Sequence, residues 1–401
     1  MQSTIDWRRL SGIVVVQAAI TLGWVIYALY LPDLLTELGF ARSLAATLLI
    51  IEHCIEVVVE PIFGDLSDHT QQKQGSRLPW ILVGIGLASL FFIALPAIAN
   101  LVPPDSPWRW LLPIAAILWA SAMAIFRSPM TALLSQAAPE PQLPLAASCL
   151  TLVQRLINSL RFTAYGFLVS MGPGIVFAAG SLVSVGAATV LYFVTQPTSP
   201  QPENIQKNSD PSSVNKPVDL PAISLPNCLE IIGVGILLGW GLRFFFASLA
   251  PILLPWIEES QPSVTLMGVN VLIAIAALPA GWLGAQLGNR YTMLGALVTT
   301  AVLLAGISNI TSGIIFVPAL ITLSFAFSAV LNGMAPFVLE RVPPARSGLG
   351  LGLFFGAFSG SISFFDLVFQ NLGPSAQIAL GAISFSLVAV RFLLKKQSHQ
   401  K

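Results

Sequence analysis

Glu52, Glu56 and Glu60 fall at i, i+4 and i+8 within "TLLIIEHCIEVVVEPIF", an otherwise apolar stretch. On a helix this spacing stacks three carboxylates along one face. Like charges so placed repel, and an acid at membrane depth is costly. Three arrangements satisfy such groups: a bound cation, protonation, or pairing with buried arginines. Burial and mutual repulsion make an acid of this kind a natural proton carrier. Coupling to an ion is the chemistry this face offers, and a static ion-pair network is the alternative.

Arg127, Arg155, Arg161 and Arg243 also lie inside apolar runs, as does Asp366. Four positive groups against four negative ones leave the interior neutral. A guanidinium matches the geometry of a carboxylate or phosphate. Arg127, Arg155, Arg243 and Asp366 are therefore candidate substrate ligands. Arg127 either faces substrate or is held on Glu52 or Glu56. Gln17, Trp24 and Tyr27 share one helical face and either line a cavity or pack in the core. His53 lies about 100° round the helix from Glu52 and reads as a packed, hydrogen-bonded residue rather than a relay. Asn332 and Glu340 either join the site or satisfy backbone groups.

The elements that position these residues follow from composition. The chain has 401 residues, 55% hydrophobic and 9% charged, with a mean hydropathy of +0.81. A soluble domain carries roughly 25% charged residues, so the surface is built for a bilayer. Twelve apolar runs are long enough to span one as helices, near 10–37, 42–63, 79–102, 108–136, 145–169, 174–195, 228–256, 263–286, 291–309, 312–338, 347–371 and 374–394. The first is too long for a cleaved signal. Residues 196–227 are rich in Pro, Ser and Asn and read as a linker. The expected organisation is a six-helix bundle over 1–195, the linker, and a second bundle over 228–401.

Loop charges orient the chain. With the N-terminus cytoplasmic, inside segments hold Arg8, Arg9, Lys73, Arg77, Lys207, Lys216, Arg290, Arg341, Arg346, Arg391, Lys395, Lys396 and Lys401, and outside loops only Arg42 and Arg109. The halves also echo each other: "TLGWVIYALYLP" with "LLGWGLRFFFASLAP", "GDLSDHTQQKQGSR" with "GWLGAQLGNR", and "LLSQAAPE" with "VLERVPPA". A duplicated six-helix unit places substrate between its copies, near the midplane.

The sequence resembles the major facilitator superfamily over nearly its whole length. Locally it is most similar to the glycoside–pentoside–hexuronide cation symporters and the sucrose transporters. Their second helix ends in two acids four apart, then Pro, Gly, Ser-Asp and a Gly-Arg-rich stretch closing on Pro-aromatic. Here the equivalents are Glu56, Glu60, Pro61, Gly64, Ser67-Asp68 and "GSRLPW" at 75–80. The resemblance implies that Glu56 and Glu60, with Glu52 above them, bind the coupling ion, H+ or Na+. Sugar-transporting relatives often carry an acid at the position of Arg127 or Gln136. Neither is acidic here, which departs from the neutral-sugar pattern and admits an anionic solute such as a uronide or organic acid beside a sugar or glycoside.

The polar segment after the second run, with Gly64, Asp68 and Arg77, reads as an inside gate, echoed by Gly281 and Arg290. An ordinary solvated loop is the alternative. Asp68 can cap a neighbouring helix N-terminus. The expected protein is an all-α transporter that carries a small polar solute (sugar, glycoside, uronide or organic acid) in symport with H+ or Na+ by alternating access, surrounded by membrane lipid. It is expected to be monomeric, in the cell membrane, with both termini cytoplasmic and no cofactor beyond the coupling ion. The rival is a tetrapyrrole pigment carrier or light-harvesting assembly protein of the related bacteriochlorophyll-delivery type. A net charge of +1 argues against nucleic acid. Three cysteines give no disulfide framework and read as small packing residues. No metal spacing, nucleophile elbow or phosphate loop supports an enzyme: "GVGILLGWG" lacks the strand–turn–helix setting of a dinucleotide fingerprint.

Overall fold

The computed structural model describes residues 4–196, 220–256, 262–369 and 371–398. Among these there is no strand. The described residues form twelve long helices: α1 (Trp7–Glu37), α2 (Leu44–Gln74), α3 (Leu78–Leu101), α4 (Leu111–Ala132), α5 (Leu143–Thr163), α6 (Pro173–Thr195), α7 (Leu225–Leu253), α8 (Pro262–Leu287), α9 (Asn289–Gly306), α10 (Gly313–Leu339), α11 (Ser347–Phe364) and α12 (Pro374–Ser398). A helix satisfies most of its backbone polar groups within one segment, as a span in hydrocarbon needs. Eleven helical stretches are both long and apolar enough to cross a membrane. The exception among the twelve is α2, whose acids lower its hydropathy. It runs back between α1 and α3 all the same, so alternation puts the start of α1 and the end of α12 on one face.

The polar segment after residue 63 differs from its expected form. Instead of ending near residue 63 and passing into a loop, α2 continues through Asp68 to Gln74. Gly75 then closes it in the left-handed region, φ 74°, with its N–H on the Gln71 carbonyl at 2.9 Å. Pro79 sits in the first turn of α3, where its missing N–H costs nothing. The fifth run is broken after Thr163 and continues as a short helix, Tyr165–Met171. The eleventh run ends in a π turn, Phe365–Phe369. Helix α7 begins at Leu225, inside the stretch read as linker. The rest of that stretch, 197–219 with Lys207 and Lys216, lies outside the described residues.

Aromatic packing centres each half. In the first, Tyr27 and Trp119 lie 4.3 Å apart by ring centroid, with Phe92 and Phe177 behind them. In the second, Phe245 stacks on Phe327 at 3.8 Å. Such pairs add about 0.5–1.5 kcal/mol beyond area burial. The halves meet along two related seams, α2 against α11 and α5 against α8. On the other side of α2, Val58 and Ile62 point outward and are exposed, which turns the glutamate face inward. Cys54 is exposed on this helix, not packed.

Candidate functional site

All three glutamates of α2 are buried, at 1%, 1% and 0% exposure. One arginine serves two of them. Arg127 of α4 places Nη2 3.2 Å from Glu56 Oε2 and Nε 2.5 Å from Glu60 Oε1. Its partners are thus Glu56 and Glu60; Glu52 is not among them. The Glu60 contact lies off the N–H axis, so both Glu60 carboxylate oxygens lack a hydrogen bond. Glu56 also accepts from Ser359 Oγ of α11 at 2.5 Å, and Ser359 Oγ accepts from Arg127 Nη2 at 3.0 Å. This small network therefore joins both halves. Ser128 donates to the backbone carbonyl of Glu60 at 3.2 Å. Glu52 takes the Tyr27 hydroxyl on Oε1, while its Oε2 has no partner.

Beside this network a cavity of about 230 Å³ opens between the halves. Gln17 of α1, Arg127 and Thr131 of α4, and Thr151, Gln154 and Arg155 of α5 line it from the first half. Leu242 of α7, Met334 of α10 and Phe355 and Phe358 of α11 close it from the second. The mixture suits a small solute: apolar walls with a few convergent polar groups. Arg127 lies over the Phe355 ring at 5.1 Å, and Arg155 over Phe246 at the same distance. Arg155 is 7% exposed, its Nε has no hydrogen-bond partner, and among the described residues no carboxylate lies within 4 Å of it. A buried cation without a counter-ion is costly, so Arg155 is the group here most in want of an anion.

Several expected ligands lie elsewhere. Trp24 and Tyr27 do not line this cavity. Tyr27 is fully buried, and Trp24 packs against Tyr27, Trp119 and His53. His53 Nδ1 meets the Leu49 carbonyl at 2.6 Å. Arg243 and Asp366 pair with each other, and Arg243 rests over Phe365. That pair is self-neutralising and leaves neither charge for the cavity. Arg161 is exposed near the end of α5. Asn332 donates to the Ala277 carbonyl at 2.8 Å, joining α10 to α8. Glu340 lies 3.8 Å from Arg341 on the terminus-bearing face.

On that face Asp68 accepts from the Gly348 and Leu349 amides, at 2.9 and 2.8 Å, and so caps α11. Arg77 holds Asp68 at 2.5 Å and donates to Ser347 at 2.9 Å. A side chain on Gly64 would run into the Gly348 carbonyl. Arg346 pairs with Asp65 across the halves. Gly281 packs on Pro144 and Ser148 of α5, but Arg290 turns away from the first half and donates to the Phe392 carbonyl at 2.8 Å. Ser359, Thr151, Gln154 and the Asp65–Arg346 pair escaped the sequence reading. Only Gln154 beside Arg155 carried a signal, as two adjacent polar residues in an apolar span.

The Major Facilitator Superfamily model matches residues 13–365. An uncharacterized symporter of Synechocystis sp. is 28% identical over 151 residues, which is 37% of this chain and 26% of that protein. The chain thus spans about a quarter of that relative's length. Among solved structures, a bacterial homologue of the iron transporter ferroportin, outward-facing with soaked iron, superposes with a TM-score of 0.71 at 15% identity, covering 96% of this chain and 98% of that one. The human organic anion transporter MFSD10 (TETRAN) gives 0.67 at 14% identity, covering 96% and 99%.

Proposed function

The chain belongs to the major facilitator superfamily, and from that premise we propose that it carries out proton-coupled symport of a small organic anion by alternating access. The observation that carries this reading is Arg155, a buried cation without a carboxylate partner on the wall of the cavity between the halves. Arg127 lines the same cavity but is shared with Glu56 and Glu60. A proton arriving on either acid weakens that acid's hold on Arg127 and frees the guanidinium for a second contact with the anion. Solute and proton then favour each other's binding, which is a coupling free energy between two sites. Glu60, fully buried and paired with Arg127 but not held by Ser359 as Glu56 is, is the acid we assign the proton. A sodium ion at the same place would face the Arg127 charge. The symporter relative supports coupling, and the excess of Lys and Arg in the terminus-bearing loops supports a cytoplasmic location for both ends in the cell membrane.

Uptake into proteoliposomes tests this. An acid-outside pH gradient should drive accumulation of a labelled organic acid or uronide, with no response to a neutral sugar. Arg155→Gln should abolish binding of the anion, whereas Glu60→Gln should keep binding and lose dependence on the gradient. Accumulation driven by Na+ at constant pH would remove the proton assignment. Uptake of neutral sugars, or stabilisation by a tetrapyrrole alone, would remove the anion assignment.

A further inference from the structure

We propose that the second half holds an anionic phospholipid by its headgroup phosphate, at a cluster of arginines on the terminus-bearing face. This site is separate from the transport cavity and does not depend on the symport reading. Three guanidinium groups gather around Phe392 of α12. Arg341, just past α10, lies over the Phe337 and Phe392 rings at 3.7 and 5.5 Å. Arg290, in the first turn of α9, takes the Phe392 carbonyl. Arg391 immediately precedes Phe392 in the chain.

The carboxylates nearby are already committed to two of these arginines. Glu230 of α7 lies 3.1 Å from Arg341 and 3.4 Å from Arg391, and Glu340 lies 3.8 Å from Arg341. Among the described residues no carboxylate lies within 4 Å of Arg290. Arg391 is 44% exposed at its side chain, so its guanidinium still presents free donors outward. Arg290, held on the Phe392 carbonyl, and Arg391, one residue before Phe392 on α12, bring two cations to one end of the bundle, which suits a phosphate better than a single carboxylate.

What surrounds the cluster identifies the source of that phosphate. Ile383, Leu387, Val390 and Leu394 of α12 are each about half exposed. Their spacing of 4, 3 and 4 residues puts them on one face of the helix, an apolar stripe with Arg391 at its terminus-bearing end. Tyr291, beside Arg290, is 59% exposed, as aromatic residues at a membrane–water boundary are. Acyl chains lie along such a stripe while the headgroup reaches the arginines. A soluble phosphate would use the cations alone.

Native mass spectrometry of the delipidated full chain decides between these. The protein is titrated with equal amounts of dioleoyl phosphatidylglycerol and dioleoyl phosphatidylcholine, with and without inorganic phosphate. Wild type should retain phosphatidylglycerol in excess. Arg391→Gln and Arg290→Gln should each lower that excess about fivefold, the effect expected for one basic residue at an anionic surface. Arg391→Lys should keep most of it, and Arg109→Gln on the opposite face should change nothing. Equal retention of the two lipids by wild type overturns the proposal, as does an excess that both glutamine variants keep. If inorganic phosphate displaces phosphatidylglycerol at comparable concentration, the site belongs to a soluble anion instead. The wild-type competition stands even if a variant fails to fold.

Discussion

The two seams that join the halves, α2 on α11 and α5 on α8, are built from different chemistry. The α2–α11 seam is charged. Asp68 caps α11, Arg77 backs Asp68 and reaches Ser347, Arg346 meets Asp65, and Glu56 shares Ser359 with Arg127. The α5–α8 seam is steric. Helix α8 has no charged residue along its length, and Gly281 and Gly284 let it lie against Pro144 and Ser148. In the register that pairs Gly64 with Gly281, Ala285 stands where Asp68 does. The alternating access proposed above therefore has an asymmetric grip. One seam can be released by moving a proton or a charge, whereas the other holds only by shape and serves as the bearing.

Breaking the charged seam at its centre should have the largest effect. Arg127→Gln strips Glu56 and Glu60 of their shared cation, and removing one partner of a buried pair costs about 3–5 kcal/mol. Its unfolding midpoint in detergent should fall well below wild type, with uptake lost. Asp68→Asn should come next. It leaves Arg77, which is 2% exposed, without its charged acceptor, at about 1.5–3 kcal/mol. Spin-label distances between the terminus-bearing ends of α2 and α11 should lengthen. An unchanged distance distribution would mean that the cap does not hold the face closed.

Gly281→Ala probes the steric seam. The added methyl would come within 2.6 Å of Ser148 Oγ, and overpacking of this kind costs about 1–3 kcal/mol. The comparison is sharpened by salt: the Gly281 defect should be indifferent to ionic strength. Asp65→Asn should have the smallest effect, about 0–1 kcal/mol, since Asp65 is 36% exposed in its pair with Arg346. That difference should vanish in high salt.

The helices were legible because hydrocarbon demands long apolar runs, and those can be counted. The glutamate face of α2 was legible from spacing alone. Partners were not. Nothing in the order of residues distinguishes Arg127 on Glu60 from Arg127 on Glu52, since the choice depends on the height at which α4 crosses α2. Arg243 and Asp366 looked like substrate ligands for the same reason, because apolar flanks hide a pairing between α7 and the π turn after α11. The end of α2 was misplaced because its polar last three turns read as loop, although tertiary contacts and the Gly75 cap keep them helical. Gln17 and Arg155 could be picked from the sequence only as polar exceptions, and Thr151 and Ser359 not at all, since serine and threonine are common in membrane helices for backbone bonding.

The burial of three carboxylates on α2 also bears on how the chain is made. Acidic residues near the centre of a span raise its cost of entering the bilayer by about 2.5–3.5 kcal/mol each on insertion scales. Helix α2 is correspondingly the long helix absent from those apolar enough to cross alone. Glu52 takes a hydrogen bond from Tyr27, synthesised before it, and the balancing charge for Glu56 and Glu60 sits on Arg127, synthesised more than fifty residues later. The charge that balances the α2 acids therefore becomes available only once α4 has been made.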